Sequence, residues 1–178
     1  MERLARASII LSLTDKLKER GSWCGETHIQ KSGYVLQELL KVPLGFDFVM
    51  YKHGPFSFDL RDELTALRAD ELLGLEVQHS YGPKFVTTKR GKEIQERHPK
   101  TLARHQKALD FVAERLGEKR VAELERLTTA LFVTLNPNSG DGSVEGRARE
   151  LRRLKPHVSE PNARNAVEEL DRIRADAG

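Results

Sequence analysis

The sequence has little of what small secreted proteins and membrane proteins depend on. It holds one cysteine, Cys24, in 178 residues. No internal disulfide can form, and a chain of this length needs none to hold a core. A reducing, cytoplasmic setting is therefore expected. Only 6% of the residues are aromatic, which argues against a sandwich or barrel filled with rings. Nowhere do about 18 apolar residues run together, the length a spanning helix requires. Near the start, Glu2, Arg3 and Arg6 precede an apolar stretch, Ser8 to Leu13, that is too short and too polar for a signal peptide. Internal repeats and low-complexity segments are missing too.

The groupings that mark common catalytic sites are equally scarce. Cys24 and His28 lie four apart, a spacing that would put a thiol and an imidazole on one helix face. A zinc site takes about four ligands, and no second Cys/His cluster completes one. Packing is the expected role, since a free cysteine behaves as a small hydrophobe. Ser57 has no Gly-x-Ser-x-Gly elbow around it, so it is expected to cap a helix. Gly140, Gly142 and Gly146 are spaced glycines without the Gly-Lys-Ser/Thr of a phosphate loop. His53 stands in a Gly-Pro turn, where backbone geometry is the simpler reason for the residues present. The expectation is no catalytic residue, no metal and no cofactor.

What the chain does have is enough apolar material for a core, 38% of its residues, and a charged fraction of 32%. The net charge of +3 hides a polarity along the sequence. From Phe56 to Glu76, the acids Asp59, Asp62, Glu63, Asp70, Glu71 and Glu76 outnumber Arg61 and Arg68. From Lys84 to Lys107, the bases Lys84, Lys89, Arg90, Lys92, Arg97, Lys100, Arg104 and Lys107 outnumber Glu93 and Glu96. Arg147, Arg149, Arg152, Arg153 and Lys155 form a second basic cluster.

Apolar spacing predicts the elements. Leu4, Ala7, Leu11 and Leu17 mark a first helix ending at Gly21. Thr27 and Gln30 have capping-box form, and Ile29, Gly33, Leu36 and Leu40 line a second helix, with Gly33 permitting a close crossing. Phe46, Phe48 and Met50 alternate as a short strand, which His53-Gly54-Pro55 turns. Ser57 caps a third helix whose buried stripe is Leu60, Leu64 and Leu67, with Asp59 in its first turn. Leu75 and Val77, the turn Tyr81-Gly82-Pro83, and Lys84 to Thr87 form a hairpin. Thr88 caps the helix that follows. Beyond Lys100 the pattern is helical, interrupted by an exposed loop at 136–142 and by Pro156, with Ser159 capping the last helix.

Helix, helix, strand, helix and hairpin is the order of a winged helix-turn-helix. The fold expected is mainly α (α+β), with a winged-helix core over 1–99 and a C-terminal helical extension over 100–178 packed on it. The hairpin Leu75–Thr87 would be the wing, and the helix from Ser57 would hold the recognition position.

Several motifs sharpen this. His28-Ile29-Gln30-Lys31, Tyr34-Val35-Leu36, Tyr51-Lys52-His53-Gly54-Pro55-Phe56-Ser57 and Leu60 resemble the YwgA-like family, related to the SocA-type antitoxin domains also called Panacea. Tyr81-Gly82-Pro83 with Phe85-Val86-Thr87-Thr88, and Lys155-Pro156 with Ser159, continue the resemblance. It implies a winged-helix-like fold and a place in toxin–antitoxin or phage-defence loci, where such domains act by binding another protein. It carries no catalytic set.

Two readings follow from the charge map. A groove-reading helix meets phosphates through lysine and arginine, which Asp59, Asp62 and Glu63 would oppose. The helix from Ser57, with Asp59, Arg61, Asp62 and Glu63, is therefore expected to bind a basic protein partner, such as a toxin or another protein that normally holds nucleic acid. The alternative is a DNA-binding regulator gripping phosphates with Lys84, Lys89, Arg90, Lys92 and Arg97 from the wing and the next helix. Tyr51, His53, Gly54, Pro55 and Ser57 are expected to be a structural turn. No membrane partner is expected, and self-association is left open by the residues.

Overall fold

The computed structural model describes residues 1–78, 82–136 and 142–178. Among them are α1 (Arg3–Glu19), α2 (Glu26–Glu38), β1 (Val49–Tyr51), β2 (Gly54–Phe56), α3 (Phe58–Ala69), β3 (Leu73–Gln78), β4 (Gly82–Thr87), α4 (Lys89–Arg97), α5 (Pro99–Leu116), α6 (Val121–Leu135), α7 (Val144–Leu154) and α8 (Glu160–Ala177). The fold is mainly helical, with two small antiparallel hairpins, β1–β2 and β3–β4. Tyr81 of the expected wing turn and residues 137–141 of the expected loop lie outside the described residues.

Helix α1 is buried nearly all round. Every residue from Ala7 to Thr14 is inside, because α5, α4, α2 and β4 pack against it from different sides. Ser8 and Thr14 survive there by donating back to the Ala5 and Ile10 carbonyls, at 2.7 and 2.9 Å. Leu4, expected on the buried face, instead lies in the first turn at 44% exposure, before the packing begins. One apolar cluster extends from Ala7 to Ile173, so the helices after residue 100 share the core of the first hundred residues.

The predicted helix starts at Ser57, Thr88 and Ser159 each have the hydroxyl accepting from the backbone N–H three residues on. The predicted stripe Leu60, Leu64 and Leu67 is buried. Gly33 does permit a close crossing: a Cβ there would sit 3.2 Å from the Leu60 side chain.

Three local expectations are corrected. Thr27 does not cap α2; Gly25 occupies that position without a side-chain bond, because Gln30, the supposed partner, is buried and engaged elsewhere. The strand begins at Val49 and not at Phe46, since the Phe46 N–H donates to Gln37 Oε1 (2.9 Å) and its carbonyl accepts from Gln37 Nε2 (2.7 Å). Gly54-Pro55 is not the turn but the start of β2: Tyr51 pairs with Gly54, Met50 with Pro55 and Val49 with Phe56. Lys52 and His53 make the two-residue connection.

Candidate functional site

The β1–β2 hairpin is held from behind by polar side chains that the fold has buried. Gln30 of α2 clamps the exit of β2: its Nε2 donates to the Ser57 carbonyl at 2.8 Å, and its Oε1 accepts from the Ser57 N–H at 2.9 Å. One residue on, Lys31 is 1% exposed and its Nζ donates to the Pro55 carbonyl at 2.7 Å. Burial pushes that ammonium down to about 8, against a smaller opposing pull from Glu125. Lys155, beyond α7, reaches the connection itself and donates to the Tyr51 and Lys52 carbonyls at 2.7 and 2.6 Å. Burial lowers its pKa as well.

Glu125 of α6 lies among these cations. Its Oε1 is 3.6 Å from Lys155 Nζ and 3.5 Å from His157 Nε2, and its Oε2 is 3.7 Å from His53 Nδ1. Oε1 is buried and accepts no hydrogen bond. Gly54, at φ +86°, lets the hairpin lie directly on α6; a Cβ there would stand 3.1 Å from Thr129 Oγ1 and 3.4 Å from the Glu125 carbonyl. Thus Tyr51, His53, Gly54, Pro55 and Ser57 belong to a hairpin and its exit seated on buried charge. The His53 side chain is 66% exposed.

The outer face of the same hairpin is aromatic. The register puts Val49, Tyr51 and Phe56 on one side of the ribbon, and Phe58 joins them from the first turn of α3. The three rings touch pairwise: Tyr51–Phe56 at 5.7 Å, Tyr51–Phe58 at 5.4 Å and Phe56–Phe58 at 5.2 Å between centroids. These edge-on and tilted arrangements suit ring quadrupoles. The cluster is open to solvent, with Val49 47%, Tyr51 54% and Phe58 41% exposed. The guanidinium of Arg61 lies over the Phe58 ring at 5.1 Å, and its Nε and Nη2 donate to Asp62 Oδ1 at 3.1 and 3.0 Å. Asp59 and Asp62 are exposed beside the rings.

Of the four α3 residues expected to meet a partner, Asp59, Arg61 and Asp62 share this surface and Glu63 does not. Glu63 is 9% exposed and accepts from Arg3 and Arg6 of α1, both at 3.2 Å. The fourth side chain after Asp59 turns toward α1, so its charge is spent on holding two helices together. Phe58 and Tyr51 were not among the expected contact residues. The signal was available: five of the chain's rings, Phe46, Phe48, Tyr51, Phe56 and Phe58, fall within thirteen residues of a sequence otherwise poor in them.

The β3–β4 hairpin and α4 carry their bases differently. Lys84 of β4 pairs with Glu76 across the hairpin at 3.0 Å and lies 5.5 Å over the Trp23 ring. Arg90 reaches Glu71 at 3.5 Å and Lys92 reaches Asp15 at 2.6 Å. Lys89 and Arg97 are exposed, and among the described residues they make no ion pair. Arg90 and Arg97 face an open groove of about 450 Å³ that Leu4 and Asp70 help to line.

Cys24 and His28 do not share a helix face. Cys24 precedes α2 at φ +56°, and its thiol, pushed up to about 12 by burial, points at the Thr14 carbonyl at 3.5 Å. Burial lowers the pKa of His28. Among the described residues no set of three or more His, Cys, Asp or Glu side chains is arranged to hold a metal ion, and no helix is long and apolar enough to cross a membrane. No family model matches the chain, and no curated protein matches it.

Proposed function

We propose that the chain is a non-enzymatic, cytoplasmic protein-binding module, antitoxin-like or regulatory, built on a winged-helix body like that of the YwgA-like proteins its motifs resemble. A toxin–antitoxin or phage-defence setting suits that resemblance. The observation that carries the reading is the open cluster of Tyr51, Phe56 and Phe58 with Arg61. Tyrosine, phenylalanine and arginine are the side chains enriched where proteins meet. Here buried lysines hold the hairpin that carries two of the three rings.

The acidic side chains Asp59 and Asp62 favour a basic protein over nucleic acid at this surface, since phosphates would be repelled. A second reading, a DNA-binding regulator, rests on Lys89 and Arg97, which are exposed on α4. One experiment separates them. A photo-crosslinking side chain is placed at Tyr51 or, as control, at Val77, a 73% exposed residue of the other hairpin, and expressed in the host. In parallel, duplex binding is titrated with salt for the native protein and for the double variant Asp59→Lys, Asp62→Lys. The expected result is one protein crosslinked from position 51 and not from 77, with duplex affinity weak, steeply salt-dependent and raised by the reversals. Tight, sequence-selective duplex binding that the reversals destroy would overturn the protein-binding reading.

A further inference from the structure

We propose that Phe58 and Asp62, with Tyr51 at the edge, form a receptor for a partner's arginine side chain, and that Arg61 occupies it in the free protein. The inference rests on the protein-binding reading and names the chemistry of what docks there. Phe58 and Asp62 are four residues apart on α3, hence one above the other on a single helix face. A ring face beneath and a carboxylate at the side are the two things a guanidinium binds best: the ring quadrupole attracts its flat face, and the carboxylate accepts its in-plane N–H groups.

Arg61 displays that chemistry within the protein. Its guanidinium stands 5.1 Å from the Phe58 centroid while two of its nitrogens donate to the same oxygen, Asp62 Oδ1. The fit is incomplete. Both donors fall on Oδ1, so the fork–fork pairing in which each carboxylate oxygen takes one N–H is not made. Arg61 and Asp62 are adjacent in sequence, and neighbours on a helix do not face each other. Their side chains are 48% and 70% exposed, where such a pair contributes little. An arginine arriving from outside the helix has no such constraint. It can lie flat on the open face of Phe58, with the Tyr51 ring standing at the edge of that face, and pair with both oxygens of Asp62. Asp59, exposed one turn below Asp62, adds attraction for a basic segment. Lysine is a poorer occupant, being a compact, strongly hydrated charge without a flat face.

The test uses two decapeptides with capped ends, neutral at every position but a single central arginine or lysine and otherwise identical, titrated into the full chain while the Arg61 Nε–Hε and the Tyr51 and Phe58 ring resonances are followed by NMR. The arginine peptide is expected to shift all three signals and to bind at least about fivefold more tightly than the lysine peptide, as the flat, forked cation should. Arg61→Ala removes the internal competitor and is expected to tighten arginine-peptide binding severalfold. Phe58→Ala and Asp62→Asn should each weaken it at least about tenfold. Thermal melts identify any variant that fails to fold, and Asp59→Asn, which should weaken binding only slightly, serves as a second variant. Weaker arginine-peptide binding in Arg61→Ala, or equal binding of the two peptides, would overturn the proposal. The crosslink from Tyr51 keeps the two readings apart. If a protein is still captured there while Arg61→Ala weakens its binding, the module reading stands and the arginine receptor falls. If nothing is captured and the arginine peptide behaves as expected, the receptor stands and the module reading falls.

Discussion

The two hairpins are similar in topology and opposite in how they are secured. In β1–β2 three-residue strands pair around Lys52 and His53, too little ladder to persist alone in water. Its backbone carbonyls are therefore taken by Lys31 and Lys155 from elements far away in sequence. In β3–β4 each strand has six residues, and the hairpin enters the core through Leu73 and Phe85. The Phe85 N–H also donates to the Cys24 carbonyl at 2.9 Å. The difference shows what each is suited to present. A hairpin seated on buried donors is free to turn its side chains outward, and it turns out rings. One seated by its own Leu73 and Phe85 spends those residues inward and shows the pair Lys84–Glu76, with Val77 open at its far end.

The largest expected effects test the two kinds of anchor directly. Lys155→Met removes one cation from around Glu125 and leaves two carbonyls without their donor. Breaking a buried pair in this way costs about 3–5 kcal/mol, measurable by urea unfolding. Phe85→Ala should cost about as much, roughly 3–5 kcal/mol, through lost burial and a cavity. What separates them is salt and pH, to which the apolar anchor is indifferent. Slightly smaller losses, about 2–5 kcal/mol each, are expected for Leu36→Ala, Leu60→Ala and Leu64→Ala, buried residues of α2 and α3. Losses within about 0.5 kcal/mol would put these leucines at the surface.

Lys31 makes the comparison sharper. Its folded pKa, about 8, is depressed below the ordinary lysine value, so the folded protein releases this proton before the unfolded chain does. Below about pH 8 both states hold the proton and the burial penalty is fully present. From there to about pH 10 the unfolded chain binds more protons, and stability from this group rises with pH. The measurable quantity is the difference in unfolding free energy between the native protein and Lys31→Met, because the buried Cys24 thiol titrates in the opposite sense in both. That difference should move in favour of the native protein by a few kcal/mol, in order of magnitude, over this interval. A flat difference would show that Lys31 is reached by water.

Much of the fold was legible in the sequence because it rests on local rules. Ser57, Thr88 and Ser159 announce helix starts by their hydroxyls, and the leucine spacing of α3 marks its buried stripe. The candidate site was only partly legible. Asp59, Arg61 and Asp62 read correctly as exposed charge, but Glu63 reads the same way, and only the position of α1 decides that it meets Arg3 and Arg6. Lys31 and Lys155 look like surface residues in any one-dimensional pattern; that they face backbone carbonyls depends on contacts 24 and 104 residues away. Gly54-Pro55 reads as a turn because glycine and proline favour turns. Here Pro55 stands in a strand whose missing N–H matters little, its carbonyl being the group that Lys31 needs.

The smallest expected effects lie on the surface beside the second hairpin. Arg90–Glu71 and Lys92–Asp15 join α4 to the end of α3 and to α1 at 3.5 and 2.6 Å. Arg90 and Glu71 are mostly solvated, so a double-mutant cycle of Arg90→Ala with Glu71→Ala should give a coupling of about 0–0.5 kcal/mol. Lys92–Asp15 is closer, and Asp15 is 19% exposed and also accepts from Gln95 at 2.7 Å. Its coupling should be larger, about 0.5–1 kcal/mol, and should shrink in about 1 M salt, where the screening length falls to about 3 Å. The ordering matters more than the values. If these pairs are as weak as their exposure implies, α4 can release Arg90 and Lys92 to phosphates at little cost, and the nucleic-acid reading gains two cations. If either coupling approaches the loss expected for Lys155→Met, the bases are structural. Lys89 and Arg97 would then be the α4 cations left for a duplex, too few to support strong salt-dependent binding.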